Sequence, residues 1–230
     1  MLIILFFGYL SKKPVNYKPP ANSNVAGYIN FIIKNYNLLD ENDETEYIPV
    51  VSLTAQNGSA LSSKLGDIIK QKFKINNANV FNFVTGELLD NINEHSNSSR
   101  NYILAQYFDK LGLEICIYDN GIGIPGSFEK SHIDFSSDPE AIEMALEGIS
   151  TKNMPGHDVE RGAGLSTINK IMLKNDTEFI LASGTGIYYS LGEEKRFYKV
   201  PVPCKMNGTF ISIIFKNREK FNGINLYDYT

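Results

Sequence analysis

The sequence predicts an α+β protein, a two-layer α/β sandwich in which a mixed, largely antiparallel sheet carries helices on one face. Three observations lead there. The helical segments have one-sided apolar stripes, each of which needs a surface to cover. Two apolar runs joined by a Lys110-Leu111-Gly112 turn read as adjacent antiparallel strands. The last part of the chain is a series of β-type runs punctuated by glycine turns. With 230 residues, 43% of them hydrophobic, the chain can bury a real core as one large domain or one domain with an appendage.

Residues 1–10 form the one strongly apolar run, too short to span a bilayer as a helix. No basic stretch precedes it and no small-residue cleavage pattern follows, so a buried strand and a cytoplasmic protein are expected. Residues 11–23, with Pro14, Pro19 and Pro20, read as an extended linker. Residues 25–39 carry Tyr28, Ile29, Ile32, Ile33 and Tyr36 at helical spacing. The acidic stretch 40–46 reads as a solvated loop.

A strand over 47–53 precedes a helix over 58–73, whose stripe is Leu61, Leu65, Ile68, Ile69 and Phe73. The next helix, 79–95, buries Phe81, Val84, Leu88 and Ile92. Strands follow at 102–108 and 113–118, and Asp119-Asn120-Gly121-Ile122-Gly123-Ile124-Pro125 closes the second. Residues 126–161 read as a long connection, functional or mobile, with a short helical pattern at 139–146. A helix over 165–173 leads to strands at 178–182, 187–191, 196–200 and 209–215, the last announced by the Asn207-Gly208 turn. Residues after 216 are unassigned.

The net charge of −4 offers no basic field for nucleic acid. The two cysteines, Cys116 and Cys204, lie in apolar, strand-like contexts and read as buried reduced thiols. Without a CxxC pair or a histidine-rich cluster, no zinc site is expected.

Three pieces of sequence carry chemistry. Glu87 and Asn91 stand four apart on one helix face, at the edge of its apolar stripe. The amide oxygen of Asn91 is a hard ligand suited to Mg²⁺, and Glu87 is suited to orient or deprotonate a nucleophile. Asp119, when ionised, accepts from the exocyclic amine of adenine, a group that guanine replaces with an oxygen. Gly121 and Gly123 would let the backbone approach the purine, although Asp-Asn-Gly is also ordinary turn chemistry. Gly162 and Gly164, at a helix start, would let amides crowd a phosphate, or simply form a glycine-rich helix entry. No Gly-Lys-Ser/Thr follows, so this is not a P-loop.

In this order and spacing, the sequence resembles the GHKL ATPase superfamily of gyrase-type topoisomerases, heat-shock chaperones, sensor histidine kinases and mismatch-repair ATPases. Glu87-Leu88-Leu89-Asp90-Asn91 is similar to its N box, Asp119-Asn120-Gly121-Ile122-Gly123 to its G1 box and Gly162-Ala163-Gly164 to its G2 box. Thr209 matches the late threonine that assists the adenine-binding aspartate. The resemblance implies a Bergerat-type fold over 47–216, with 1–46 as an N-terminal extension and 217–230 as a tail. It also implies ATP and Mg²⁺ as cofactors, Glu87 as catalytic base and Asn91 as the Mg²⁺ ligand. Asp119, Gly121, Gly123, Gly162, Gly164 and Thr209 would contact the nucleotide. By position, 126–161 corresponds to the ATP lid, from which Arg161, better placed than Lys152, would reach phosphate.

The Glu-x-x-x-Asn-x-x-x-His pattern most resembles anti-sigma-factor serine kinases; sensor histidine kinases usually carry asparagine at the position of Glu87. None of His95, His132 or His157 sits in an acceptor context, and His95 reads as a packed core residue. Ile92 stands where a small residue is usual, the 187–200 hairpin is additional, and so is the N-terminal extension. That extension is expected to add an edge strand and a helix or to mediate self-association as a homodimer. The implied activity is a slow ATPase or a serine/threonine protein kinase acting on an unidentified protein partner. Alternatives are an ATP-gated binding module and a structural protein whose glycines only make turns.

Overall fold

The computed structural model describes residues 47–54, 56–75, 79–95, 98–150 and 164–229, apart from the side chains of Pro49, Asn93, Glu94 and His95. The expected elements within 1–46, together with Lys152, His157, Arg161, Gly162 and the side chain of His95, lie outside them.

Seven strands and five α-helices make up the described part. In chain order they are β1 (Tyr47–Ser52), α1 (Gly58–Gln71), α2 (Asn79–His95), β2 (Asn101–Phe108), β3 (Gly112–Asp119), α3 (Gly123–Lys130), α4 (Asp138–Leu146), α5 (Gly164–Lys174), β4 (Thr177–Gly184), β5 (Gly186–Leu191), β6 (Glu194–Lys199) and β7 (Met206–Phe215). The strands form one sheet in the order β1-β2-β3-β7-β4-β5-β6. Every described pairing is antiparallel, so the expected mixed sheet is corrected to an antiparallel one. Hairpins connect β2 to β3, β4 to β5 and β5 to β6, and such connections pair strands antiparallel.

The last strand is the centrepiece. β7 inserts between β3 and β4, which sets Thr209 opposite Asp119 on one side and Ser183 on the other. Strand alternation sends Ile115, Ile117, Phe179, Leu181, Ile211 and Ile213 to the face that the helices cover. Leu61, Leu65, Ile68 and Ile69 of α1, and Phe81, Val84, Leu88 and Ile92 of α2, are buried there, as the stripes predict. The chain after β7 returns to this core through Phe221, whose ring lies 5.6 Å from Phe81 and 5.3 Å from Phe215.

Two further expectations are corrected. The start of the long connection, expected as loop, is helix: α3 runs from Gly123 to Lys130. Phe128, Ala141 and Ala145 form a small apolar cluster with Ile124, Ile133, Phe135, Met144 and Leu165. Cys116 is buried as expected, but Cys204 is exposed. It ends a 3₁₀ turn, Val202–Cys204, led in by Pro201 and containing Pro203, where no strand forms.

Candidate functional site

A cleft opens between the helical layer and the central strands β3, β7 and β4 of the sheet. Its lining includes Glu87, Asn91, Asp119, Gly123, Gly164 and Thr209, six residues drawn from α2, β3, α3, α5 and β7. Ile117, Leu181 and Ile211 make an apolar sheet-side wall, and Leu88 and Ile92 another from α2. Ile92, bulky where the resemblance implies a small residue, is one of the lining residues.

Glu87 and Asn91 are both half-buried, consistent with their place at the edge of the stripe. Glu87 lies hard against the start of α5. A Cβ added to Gly164 would come within 1.8 Å of Glu87 Oε2, so only glycine leaves room for this carboxylate. The helix start turns the positive end of its dipole to this wall. One wall of the cleft thus joins a carboxylate, an amide and a helix N-terminus.

Asp119 is 4% exposed. Burial pushes its carboxyl up from 3.8 to about 6, against the pull of hydrogen bonds from the Gly121 amide and from the amide and hydroxyl of Thr209. Gly121 therefore acts one step behind the cleft, its N–H donating to Asp119 Oδ1 at 2.8 Å. At neutral pH, Asp119 is a largely ionised acceptor in an apolar surround.

Ser183 and Asp138, which help build this corner, carried no signal of their own in the sequence. Ser183 Oγ accepts from the Ile124 amide at 2.9 Å and donates to the Gly208 carbonyl at 3.0 Å, tying β4 to α3 and β7. Gly208, read as a turn residue, has φ +84°, and a Cβ there would come within 1.9 Å of the Asp119 carbonyl oxygen. Gly123 has φ +71°, and its missing Cβ makes room for Ser183 Oγ. Asn120 Oδ1 accepts from the Ser99 and Arg100 amides at 3.0 and 2.9 Å, clasping the turn to the entry of β2. Asp138 Oδ2 accepts from the Thr185 amide at 2.6 Å and its hydroxyl at 2.8 Å, anchoring α4.

Asn91 and Glu87 offer two hard oxygen donors on one wall, a set that suits an Mg²⁺ taking its other ligands from phosphates and water. Among the described residues, no three or more His, Cys, Asp or Glu gather as a self-sufficient metal site. Nor is any helix among them long and apolar enough to cross a membrane. Comparison with known proteins finds no family model that matches the chain and no matching curated sequence.

Proposed function

We propose that the chain is a GHKL-type protein that binds ATP with Mg²⁺ in this cleft and acts as a slow ATPase or regulatory serine/threonine protein kinase. One observation carries the reading. Residues separated by more than a hundred positions, Glu87 and Asn91 from one helix, Asp119 and Thr209 from neighbouring strands and Gly164 from another helix, line a single cleft. An acceptor for an amine sits on its sheet side, and a carboxylate with a helix N-terminus on the other.

In this reading the Asp119 carboxylate accepts from the adenine amine, with Gly121 and Thr209 holding its orientation. The apolar residues Ile117, Leu181 and Ile211 flank the base. Amides at the start of α5 receive phosphate oxygens, which the helix dipole favours. Asn91 would hold Mg²⁺, which when bound would neutralise phosphate charge. Glu87 takes the proton of the attacking hydroxyl as its oxygen bonds to the γ-phosphorus. The bond from that phosphorus to the β–γ bridging oxygen breaks, and ADP leaves. The attacking group is water in an ATPase and a Ser or Thr hydroxyl of a protein partner in a kinase. The reading also implies the cytoplasm, where ATP is available.

Glu87→Ala tests it. Calorimetry with Mg-ATP is expected to show retained binding, while phosphate release falls by about 10²–10⁴-fold. Turnover that survives the change removes Glu87 as the base. Binding without turnover in the parent chain would leave the ATP-gated binding module as the better reading.

A further inference from the structure

The β5-β6 hairpin takes no part in the cleft, whose lining holds no residue of either strand. Its outer strand, β6, forms one edge of the sheet, and among the described residues no strand lies beyond it. The two edges differ. In β1, Ile48 and Val50 are 0% exposed. In β6, five of the six residues are exposed, Tyr198 at 47%.

The backbone of β6 is laid out to receive a further strand. The hairpin pairs Leu191 with Glu194 and Gly186 with Lys199, and in the same register the Val200 N–H donates to the Thr185 carbonyl at 2.8 Å. Along an antiparallel strand, successive residues turn their N–H and C=O to opposite sides. Glu194, Arg196 and Tyr198 therefore face β5 as Val200 does, and the N–H and C=O of Lys195, Phe197 and Lys199 point out from the edge. Such a row is a template for pairing with another chain.

Its charge selects the occupant. The chain carries a net charge of −4, yet β6 holds three basic residues and one acidic. The acid, Glu194, lies 3.4 Å from Arg196, while Lys195 and Lys199 form no ion pair among the described residues. A second copy of β6 fits badly. Two-fold pairing centred on residue 195, 196 or 197 sets Lys195 against Lys195, Arg196 against Arg196, or Lys195 against Lys199. Like charges directly opposite destabilise a strand pair.

We propose that β6 is a docking edge for an extended acidic segment of a protein partner, which adds to the sheet as a further antiparallel strand. Main-chain hydrogen bonds to Lys195, Phe197 and Lys199 hold the segment, and its side chains set the choice of partner. Lys195 and Lys199 share one face of β6 with Phe197, whose ring lies 5.0 Å from that of Tyr188. Carboxylates opposite the two lysines and an apolar residue opposite Phe197 complement that face. On the other face, Arg196 takes a third carboxylate and the exposed Tyr198 a second apolar side chain. Read from the residue opposite Lys199, the favoured segment is Glu-Val-Val-Glu-Glu.

Titrating the nitrogen-15-labelled full chain with the end-capped peptide Thr-Glu-Val-Val-Glu-Glu-Thr tests the edge by NMR. The amide resonances of Lys195, Phe197 and Lys199 are expected to shift to saturation, and by more than those of Glu194, Arg196 and Tyr198, which already face β5. Lys195→Glu with Lys199→Glu should weaken binding by about tenfold or more. A peptide with lysine for each glutamate should bind that double variant more tightly than it binds the parent chain. N-methylation of the peptide residues that face Phe197 and Lys199 keeps the charge and removes the pairing amides, so it too should cost about tenfold in affinity. Equal binding of the methylated peptide would reduce the contact to charge attraction and overturn the proposal. The absence of shifts at the three outward amides would also overturn it, as would shifts there that grow with protein concentration alone, the mark of self-pairing.

Discussion

The two halves of α2 differ in what lies beyond the same apolar stripe. At its first half, Phe81 is ringed by Phe215 at 4.7 Å, Phe221 at 5.6 Å and Phe73 at 5.9 Å. At its second half, Leu88 and Ile92 are still buried, but Glu87 and Asn91 at the stripe's edge line the cleft. One helix thus anchors the fold at one end and presents chemistry at the other. Stability and site function should therefore separate by position along it.

The largest effect is expected at the anchored end. Phe81 is 1% exposed, and Phe81→Ala should cost about 3–5 kcal/mol of stability, read as a lower denaturation midpoint. Nucleotide affinity, measured in the cold where the variant is folded, should change less than about threefold, under roughly 0.7 kcal/mol. Affinity falling in step with stability would show that the two halves do not separate.

Asp119 makes the opposite trade. Its carboxyl is raised in the folded chain, so between 3.8 and about 6 the folded state holds a proton that the unfolded state has released. Stability contributed by this group is therefore present at low pH and lost as pH rises through that window, by at most about 3 kcal/mol. Asp119→Asn should stabilise the ligand-free protein at pH 7.5 by about 1–3 kcal/mol, with the gain fading towards pH 4. The same change should abolish the heat of Mg-ATP binding, and in the parent chain ATP affinity should weaken as pH drops below about 6. A variant no more stable than its parent at pH 7.5 would mean that burial of this carboxylate is not a strain on the fold.

The contrast between these two positions also marks what was legible beforehand. The helix carrying Phe81, Glu87 and Asn91 was readable to its ends, because a four-residue stripe at helical spacing is a local signal. The helix α3 was not. Gly123, Pro125 and Gly126 fall within its eight residues, and all three argue locally for a loop. Proline is tolerated in that first turn because its missing N–H would have had no helical partner. Burial of Phe128 at 3% exposure, a tertiary effect, rewards the helix. Ser183 was illegible for a different reason. Its role depends on β7 lying between β3 and β4, a long-range pairing that no window of sequence reports. Asp119 and Thr209 were named from a motif, and their register as direct partners across β3 and β7 explains why the two belong together.

A smaller effect tests the wall between α2 and α5. In Gly164→Ala the new Cβ meets the far end of a flexible side chain, Glu87 Oε2, which can swing aside at little cost to the fold. The melting temperature should hardly move, while ATP turnover falls about tenfold, near 1.4 kcal/mol of barrier, because the carboxylate has been displaced. Turnover at the parent rate would mean that the position of Glu87 against α5 does not matter to the chemistry.

The smallest effect comes from the glycine beside Glu87. Gly86 lies inside α2, and a Cβ added there meets nothing within 4 Å. Alanine should stabilise the helix by about 0.5–1 kcal/mol by restricting the unfolded chain, a rise of roughly 1–4 °C in melting temperature for a protein of this size. Two glycines that flank the same carboxylate, one within the helix and one across the cleft, should then answer alanine in opposite ways: Gly86→Ala raises stability and leaves turnover alone, and Gly164→Ala does the reverse. If Gly86→Ala also slowed turnover, the rigidity of α2 at this point would matter to Glu87 as much as the space that Gly164 leaves for it.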